Sequence, residues 1–210
     1  MAGFTYTILT GTKATEGSIK FWGNHVSIPA DQVLSEAEAF IYSRLRAREM
    51  IATAEISVAA DASTFPLPTG FIEPIKLLPD GWGEPMPFTH ENLLGRIRNT
   101  DGTLETGEPS EWTIANEQGE FDSQLTDALE ATMWYYKTPT ALSVSNETNF
   151  LTTRYPTLVR YACTAFAYDH RKRRTDASEM RMLAMNEINE ANSEADRGRR
   201  GNPHRAELRE

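Results

Sequence analysis

The sequence predicts an α+β fold, on three observations taken in chain order. An early stretch repeats apolar residues at spacings of three and four, which is typical of one face of a helix. The middle of the chain mixes alternating apolar residues with prolines and glycines, which favours short strands and turns. The last part returns to helical spacing, so we expect two further helices there.

Composition bounds the class of protein before any motif is considered. The chain has 210 residues, a net charge of −9, 40% apolar and aromatic residues, and one cysteine, Cys163. This length fits one domain, or one domain with an insertion, and a single cysteine excludes a disulfide scaffold. The acid lies in residues 1–170, with a net charge of −11, while residues 171–210 carry +2. An acidic body disfavours a protein whose main task is to grip nucleic acid.

No segment of the sequence has the pattern of a targeting or membrane element. Residues 1–25 lack the uninterrupted apolar core of a signal peptide. No window approaches the roughly 18 consecutive apolar residues of a spanning helix. We therefore expect no membrane insertion and a reducing cytoplasm as the place of synthesis. The glycosylation sequon at Asn146 is interpreted as a chance match.

The first segment, residues 1–27, is predicted to be an extended arm. It combines several glycines and threonines with the isolated aromatics Phe4, Tyr6, Phe21 and Trp22. Large aromatic side chains in an irregular segment gain little from solvent, so they indicate docking on a neighbouring surface. That surface can belong to another chain.

The next segment predicts a helix from about residue 28. Its apolar stripe is formed by Val33, Leu34, Ala37, Phe40, Ile41 and Leu45. Pro29 suits the first turn, and the helix is expected to end near residues 47–50.

Strands are predicted for the middle of the chain. Three prolines within residues 66–74 forbid a helix interior, so short edge strands are expected there, after an alternating strand around Ile56 and Val58. Residues 112–116 and 128–137 are predicted as strands, and a brief helix is expected at residues 90–98.

Two helices are predicted at the end. Thr153 is the expected cap of the first, with Pro156 in its early turn, and Asp176 with Glu179 has the spacing of a capping box for the second. The second helix has a narrow apolar seam, which suits one partner helix. This seam consists of Met180, Leu183, Ala184, Glu187, Ile188 and Ala191. Residues 198–210 are predicted to be a basic tail.

The sequence contains no motif for catalysis, cofactor binding or metal binding. The four histidines are far apart and no second cysteine is present, so surface or packing roles are the better interpretation. Thr10-Gly11-Thr12-Lys13 lacks the glycine-to-lysine spacing of a phosphate loop. We therefore predict no enzyme, no cofactor, and no catalytic or metal residue.

The strongest basic feature is the run from His170 to Arg174, which we call the basic cluster. Cations at a helix carboxyl end offset the helix dipole, and that role is one interpretation. The other is a patch for an acidic partner surface, with DNA phosphate a weaker third choice because the body is acidic.

The order of these segments resembles the head-to-tail adaptor proteins, also called connector or neck proteins, of tailed bacteriophages. The resemblance covers roughly residues 28–175. Besides the early helix, it depends on Leu67-Pro68-x-x-Phe71-Ile72, Trp134-Tyr135-Tyr136-Lys137, Ala141-Leu142-Ser143, Asn149, and the alanine-rich helix after Tyr155-Pro156. The chain departs from the family pattern in its polar loop at residues 99–111 and in its Arg-rich tail.

The resemblance implies a mainly helical bundle, made of the N-terminal helix plus two long C-terminal helices, with an inserted antiparallel β module. The expected divisions are an arm at 1–27, the bundle at 28–51 and 147–197, the β-rich module at 52–146 and the basic tail at 198–210. The resemblance also implies a homo-oligomeric ring, usually of twelve copies. This ring joins the portal protein to tail or nozzle proteins in the virion neck, and DNA passes through its bore.

The residues expected to contact the portal or a neighbouring copy come from the arm, the basic cluster, the last helix and the tail. They are Phe4, Tyr6, Phe21, Trp22, Arg171, Arg173, Arg174, Met180, Leu183, Ile188, Arg197, Arg199 and Arg200. Deleting residues 176–210 is expected to abolish portal binding without unfolding the body. Two alternatives stay open: a nucleic-acid-binding module that uses residues 170–174 and 197–205, and a hydrolase that uses a pair of carboxylates.

Overall fold

A computed structural model describes residues 3–91, 94–95 and 104–199, with side chains as far as residue 197. The chain divides into two compact units. The helical unit combines Met1–Glu49 with Pro139–Glu210, and the β unit is Met50–Thr138. Most of the helix predicted for residues 90–98 lies outside the described residues. Residues 200–210 of the predicted basic tail also lie outside them.

The helical unit contains all six described α-helices. They are α1 (Tyr6–Leu9), α2 (Ile19–Trp22), α3 (Ala30–Tyr42), α4 (Phe150–Arg154), α5 (Pro156–His170) and α6 (Arg174–Arg199). Helix α5 packs against both α6 and α3. Its small buried residues, including Ala162, Cys163 and Ala165, allow the neighbouring helices to approach closely.

Helix α3 ends earlier than the sequence predicts. Its last residue is Tyr42, and a separate 3₁₀ turn follows at Arg48–Met50. The Ser43 hydroxyl and the Arg44 guanidinium both donate to the Phe40 carbonyl, each at 3.0 Å. These bonds satisfy a carbonyl near the end of the helix. Leu45 is fully buried beyond the helix and extends the apolar stripe, which explains why the stripe suggested a longer helix.

The start of the C-terminal helices also differs from the prediction. Thr153 lies inside α4, whose cap is Asn149, and the Asn149 and Thr152 side chains form a capping box. Helix α6 begins at Arg174, so Asp176 lies in its first turn rather than in the cap position.

The segment predicted as an extended arm contains two short helices. Thr5 and Ser18 cap α1 and α2 with their hydroxyl oxygens, and Leu9 and Ile19 are fully buried. Burying those two aliphatic side chains offsets the entropy of ordering the segment. The sequence did not predict this because both helices have four residues, too few to show a period.

The β unit contains all eight described strands. They are β1 (Ile51–Val58), β2 (Thr64–Pro66), β3 (Phe71–Pro79), β4 (Thr106–Gly107), β5 (Trp112–Ala115), β6 (Gln118–Phe121), β7 (Gln124–Leu125) and β8 (Leu129–Lys137). They form two three-stranded antiparallel sheets, ordered β1-β8-β3 and β2-β6-β5, and a parallel pair, β4 with β7.

The aromatic strand predicted at residues 128–137 is confirmed as β8, the central strand of the first sheet. Its Ala131, Met133 and Tyr135 side chains belong to one buried core. The prolines of β3 are accommodated at the sheet edge, where the register shifts between Pro74 and Lys76.

The β unit has its own core of interlocked aromatic rings. The Phe65 ring centroid lies 5.9 Å from that of Trp112 and 5.2 Å from that of Phe121, and all three side chains are buried. Gly119 faces Phe65 across the β2–β6 pair, where its missing side chain leaves room for the ring.

The expected mainly helical bundle with an inserted β module is wrong. The structure is α+β, but among the described helices only α3, α5 and α6 exceed five residues. The strands build sheets around a separate buried core rather than a minor addition to a bundle. The prediction overestimated the helical part for two reasons. The apolar stripe indicated a longer α3, and the sequence pattern does not show how completely the middle segment buries its aromatic residues.

Candidate interaction surfaces

The N-terminal aromatic residues make contacts within their own chain. The Phe4 and Trp22 rings meet edge to face with centroids 5.1 Å apart, and the Tyr6 hydroxyl donates to Asp31 Oδ1 at 2.6 Å. That hydrogen bond is the main reason why the pKa of Tyr6 is raised. Phe21 differs from these three, because 46% of it is exposed. Of the four predicted arm residues, Phe21 thus keeps the most surface for a partner.

Backbone and side-chain bonds fix this segment to the start of α4. Tyr6 N donates to the Glu147 carbonyl at 2.8 Å, and Phe4 N donates to the Thr152 carbonyl at 3.2 Å. The Glu147 carboxylate accepts from Thr7 N at 3.0 Å and from the Thr7 hydroxyl at 2.6 Å. These bonds favour the ionised form and lower the pKa of Glu147. Residues 4–7 are therefore held to the body of the helical unit.

Part of the basic cluster is engaged by nearby groups. Arg171 Nη1 donates to the Gly23 carbonyl at 2.7 Å. Arg173 pairs with Asp176 at 2.5 Å between Nε and Oδ2, and its guanidinium lies 4.7 Å from the Tyr168 ring centroid. The Asp176 carboxylate offsets the charge of Arg173, and the Gly23 carbonyl occupies one donor of Arg171.

The rest of the basic cluster points into solvent. Lys172 and Arg174 are exposed and make no ion pair with any described residue. Lys172 sits in a left-handed turn at φ 60°, fixed by its N–H donating to the Asp169 carbonyl at 2.8 Å. The turn between α5 and α6 therefore presents two unneutralised cations in a defined position.

The apolar seam predicted on α6 is largely used within the helical unit. Ile188 is 1% exposed, and the buried stripe continues through Ala177, Ala184, Ala191 and Ala195. Met180 is half-buried, and Leu183 is 38% exposed at the edge of the stripe. Ile188 is therefore a core residue, while Leu183 and the neighbouring exposed Met182 stay available to a partner.

The remaining predicted arginines lie at the end of α6. Arg197 is exposed, and its Nε donates to the Ser193 carbonyl one turn earlier at 3.3 Å. The side chain of Arg199 and the whole of Arg200 lie outside the described residues.

The sequence analysis did not single out several exposed apolar residues, among them Val26 and Phe88. Val26, in the turn between α2 and α3, is 66% exposed, and Phe88, in the loop after β3, is 52% exposed. The sequence Pro85-Met86-Pro87-Phe88 indicated a loop at Phe88, because prolines on both sides of Met86 keep the backbone out of a regular strand. Val26 had no comparable signal.

The described residues offer little for chemistry. No group of three or more His, Cys, Asp or Glu residues among them could hold a metal ion. The carboxyl group of Glu38 is the one buried Glu side chain described, and its burial removes it from contact with a substrate. Cys163 is buried, and burial raises the pKa of its thiol, so the reactive thiolate is disfavoured. Among the helices described, none has the length and apolar character to cross a bilayer.

Comparison with known families identifies the class of protein. The family model described as SU10 adaptor protein matches residues 14–207, which include α2 to α6 and the whole β unit. No match is found among curated proteins. The family match confirms the predicted resemblance to phage head-to-tail adaptors, and adaptors are structural virion components that interact with other virion proteins. Because the match spans most of its length, the chain belongs to the SU10 adaptor protein family.

Proposed function

We propose that this protein is the head-to-tail adaptor of a tailed bacteriophage. It forms a ring, of twelve copies by family resemblance, in the virion neck between the portal protein and the tail or nozzle proteins. DNA passes through the bore of this ring. The observation that supports this proposal is the match to the SU10 adaptor protein family over residues 14–207.

The charge of the chain is consistent with DNA in transit. The net charge of −9 repels phosphate groups, so a wall of this composition does not trap the DNA that slides past it. The engagement of Arg171 and Arg173 by neighbouring groups further weakens the alternative of a nucleic-acid-binding module.

The outer face of α6 and the residues that follow it are our proposed portal contact. Met182 is 60% exposed near the start of α6, and apolar residues at such exposure suit a protein partner. Arg197 is exposed near the end of the helix, and residues 200–210 add further arginines.

The burial of α6 changes the experiment that tests this contact. Deleting residues 176–210 would remove Ala184 and Ile188, which are buried, and would expose the face of α5 that packs on α6. Loss of portal binding by this deletion variant would then reflect unfolding of the helical unit and not the loss of a contact. The informative variants are a deletion of residues 200–210 and the surface substitution Met182→Asp.

The first experiment measures the mass of the protein alone and after mixing with its portal protein. Light scattering after size separation gives the mass, and negative-stain images give the shape. We expect a ring-shaped complex on the portal, and the protein alone shows whether the ring forms beforehand. A stable monomer that ignores the portal would contradict the proposal.

The second experiment compares portal affinity in a pull-down. We expect the deletion of residues 200–210 and Met182→Asp each to weaken binding at an unchanged melting temperature. The matched control is Ser35→Asp, which places the same charge at an exposed position of α3, outside the proposed contact. Unchanged affinity of both variants would remove α6 and the tail from the portal contact.

A further inference from the structure

The helical unit exposes apolar side chains at α2 and in the turn after it, and cations that pair with no described residue at the turn between α5 and α6. We call these two segments together the basic corner, and its exposed residues are Phe21, Val26, Lys172 and Arg174. The bond from Arg171 Nη1 to the Gly23 carbonyl, 2.7 Å long, joins the turn before α3 to the turn after α5. Both turns are thereby fixed next to each other. Exposed apolar side chains beside charged groups are typical of a protein interface.

The β unit has a surface of the opposite charge. We call residues 84–91 the Phe88 loop. Glu84 and Glu91 are exposed on either side of Phe88, and neither makes an ion pair with a described residue. The overall charges of the two units differ in the same direction as the charges of these two surfaces. Residues 50–138 contain four Lys or Arg and 15 Asp or Glu, a net charge of −11, and the rest of the chain carries +2.

The Phe88 loop is held in place at three points. Met86 N donates to the Leu77 carbonyl at 2.8 Å, and its side chain is buried. Trp112 N donates to the Pro87 carbonyl at 3.1 Å, and Thr89 N donates to the Trp112 carbonyl at 2.9 Å. The Phe88 ring packs edge-on against Trp112 with centroids 4.9 Å apart. A loop fixed in this way loses little conformational entropy when a partner binds it.

We infer that the Phe88 loop of one copy docks on the basic corner of the next copy. The inference deepens the proposed function, because it depends on the ring and names the surfaces that build it. Each copy supplies one apolar and acidic surface and one apolar and basic surface, so one copy complements another.

The charges also exclude one kind of contact. Two copies that met through the same surface, basic corner against basic corner or Phe88 loop against Phe88 loop, would bring Lys172 close to Lys172 or Glu84 close to Glu84. Like charges at such an interface are repelled, so the acidic surface meets the basic surface of a different copy. If this contact repeats head to tail from copy to copy, it closes into a ring when the rotation between copies allows it.

The test is a charge reversal with a compensating reversal in the same chain. Lys172→Glu with Arg174→Glu places acid against the acidic loop of the neighbouring copy, and we expect association between copies to weaken about 100-fold. Adding Glu84→Lys with Glu91→Lys restores opposite charges at every contact, so the four-site variant should regain the ring. Light scattering and negative-stain images, with and without portal, give the readout, and melting curves verify folding.

The matched control is Lys13→Glu with Arg160→Glu. It makes the same change of charge at two exposed positions of the helical unit outside the basic corner. We expect this control to assemble like the wild type. A general effect of net charge would weaken it as much as the corner variant, and that result would overturn the inference.

The outcomes separate this inference from the proposed function. Rings of unchanged stability in the corner variant would overturn the docking of the Phe88 loop and leave the adaptor function intact. Intact rings that no longer bind the portal would also overturn it and would place the basic corner at the portal instead. A wild-type chain that forms no ring, alone or on the portal, would contradict both.

Discussion

The Tyr42 hydroxyl donates a 3.0 Å hydrogen bond to Glu38 Oε1, one turn earlier on α3, and both side chains are buried. The same oxygen accepts from Leu142 N at 3.1 Å, and Asn149 Nδ2 donates to the Tyr42 hydroxyl oxygen at 3.0 Å. This cluster joins α3 to the segment that precedes α4. It contains a carboxyl group without an ion pair among the described residues.

Replacing Glu38 with glutamine should flatten the pH dependence of stability. Burial is the largest influence on Glu38 and raises its pKa above the ordinary value of 4.5, although its hydrogen bonds oppose the change. Because the folded state holds the proton of Glu38 more tightly than the unfolded state does, Glu38 makes its full contribution to the free energy of unfolding below the ordinary pKa. That stability is lost as the pH rises through the raised value. Glu38→Gln removes this loss, which has a limiting slope of about 1.4 kcal/mol per pH unit.

Urea denaturation between pH 4 and 8 measures the free energy of unfolding for this comparison. Glu36→Gln is the control, because Glu36 lies on the exposed side of α3, where it accepts from Gln32 at 2.8 Å. We expect the control to follow the wild-type pH profile. If Glu38→Gln retains the wild-type slope above pH 4.5, then burial does not determine the ionisation of Glu38.

Replacing Asn149 with alanine should destabilise the helical unit by about 1–2 kcal/mol, the usual loss for an N-cap side chain. Asn149 Oδ1 accepts from Leu151 N at 3.0 Å and from Thr152 N at 3.2 Å, and the substitution leaves both donors without this acceptor. Thermal unfolding measures the effect. Asn186→Ala, at an exposed position within α6, is the control and should leave the melting temperature unchanged or slightly raised. Equal melting temperatures for the two variants would contradict the capping role.

Elements with a strong local pattern could be predicted from the sequence. The strand at residues 112–116 and the aromatic strand at 128–137 were predicted from their aromatic and β-branched residues, and the structure confirms them as β5 and β8. The prolines of β3 correctly indicated an edge strand. In each case, the chemistry of neighbouring residues determines the local conformation.

Features that depend on distant contacts could not be predicted. The helices α1 and α2 are stabilised by tertiary contacts, such as the bond from Tyr6 N to the Glu147 carbonyl. The basic corner depends on the bond between Arg171 and Gly23, which are far apart in sequence. Ile188 lies on the apolar face of α6 that was predicted to meet a partner, but it packs in the core of its own unit. Helical periodicity identifies an apolar face and does not show what covers it.

Cys163 should be protected from thiol reagents as long as the helical unit is folded. It is fully buried on α5, and burial raises the pKa of its thiol. Reaction with a chromogenic disulfide at pH 8 should therefore follow unfolding and be at least about 100-fold slower than for an accessible thiol. Ser35→Cys in a Cys163→Ala background supplies that accessible thiol, because Ser35 is exposed on α3. Fast labelling of Cys163 in native buffer would contradict the packing of α5.

Replacing Gly119 with alanine should destabilise the β unit by about 1–3 kcal/mol or more, the usual loss on overpacking a core. A Cβ at this position would overlap the Phe65 ring, which is enclosed by Trp112 and Phe121 and cannot move without disturbing both. Gly83→Ala is the control, since a Cβ there meets no described atom within 4 Å. Tryptophan fluorescence during urea denaturation, with Trp112 in the affected core, should show a lower midpoint for Gly119→Ala alone. A midpoint equal to that of the control would mean that the aromatic core adapts to an added methyl group, and the tight packing of Phe65 against β6 would be wrong.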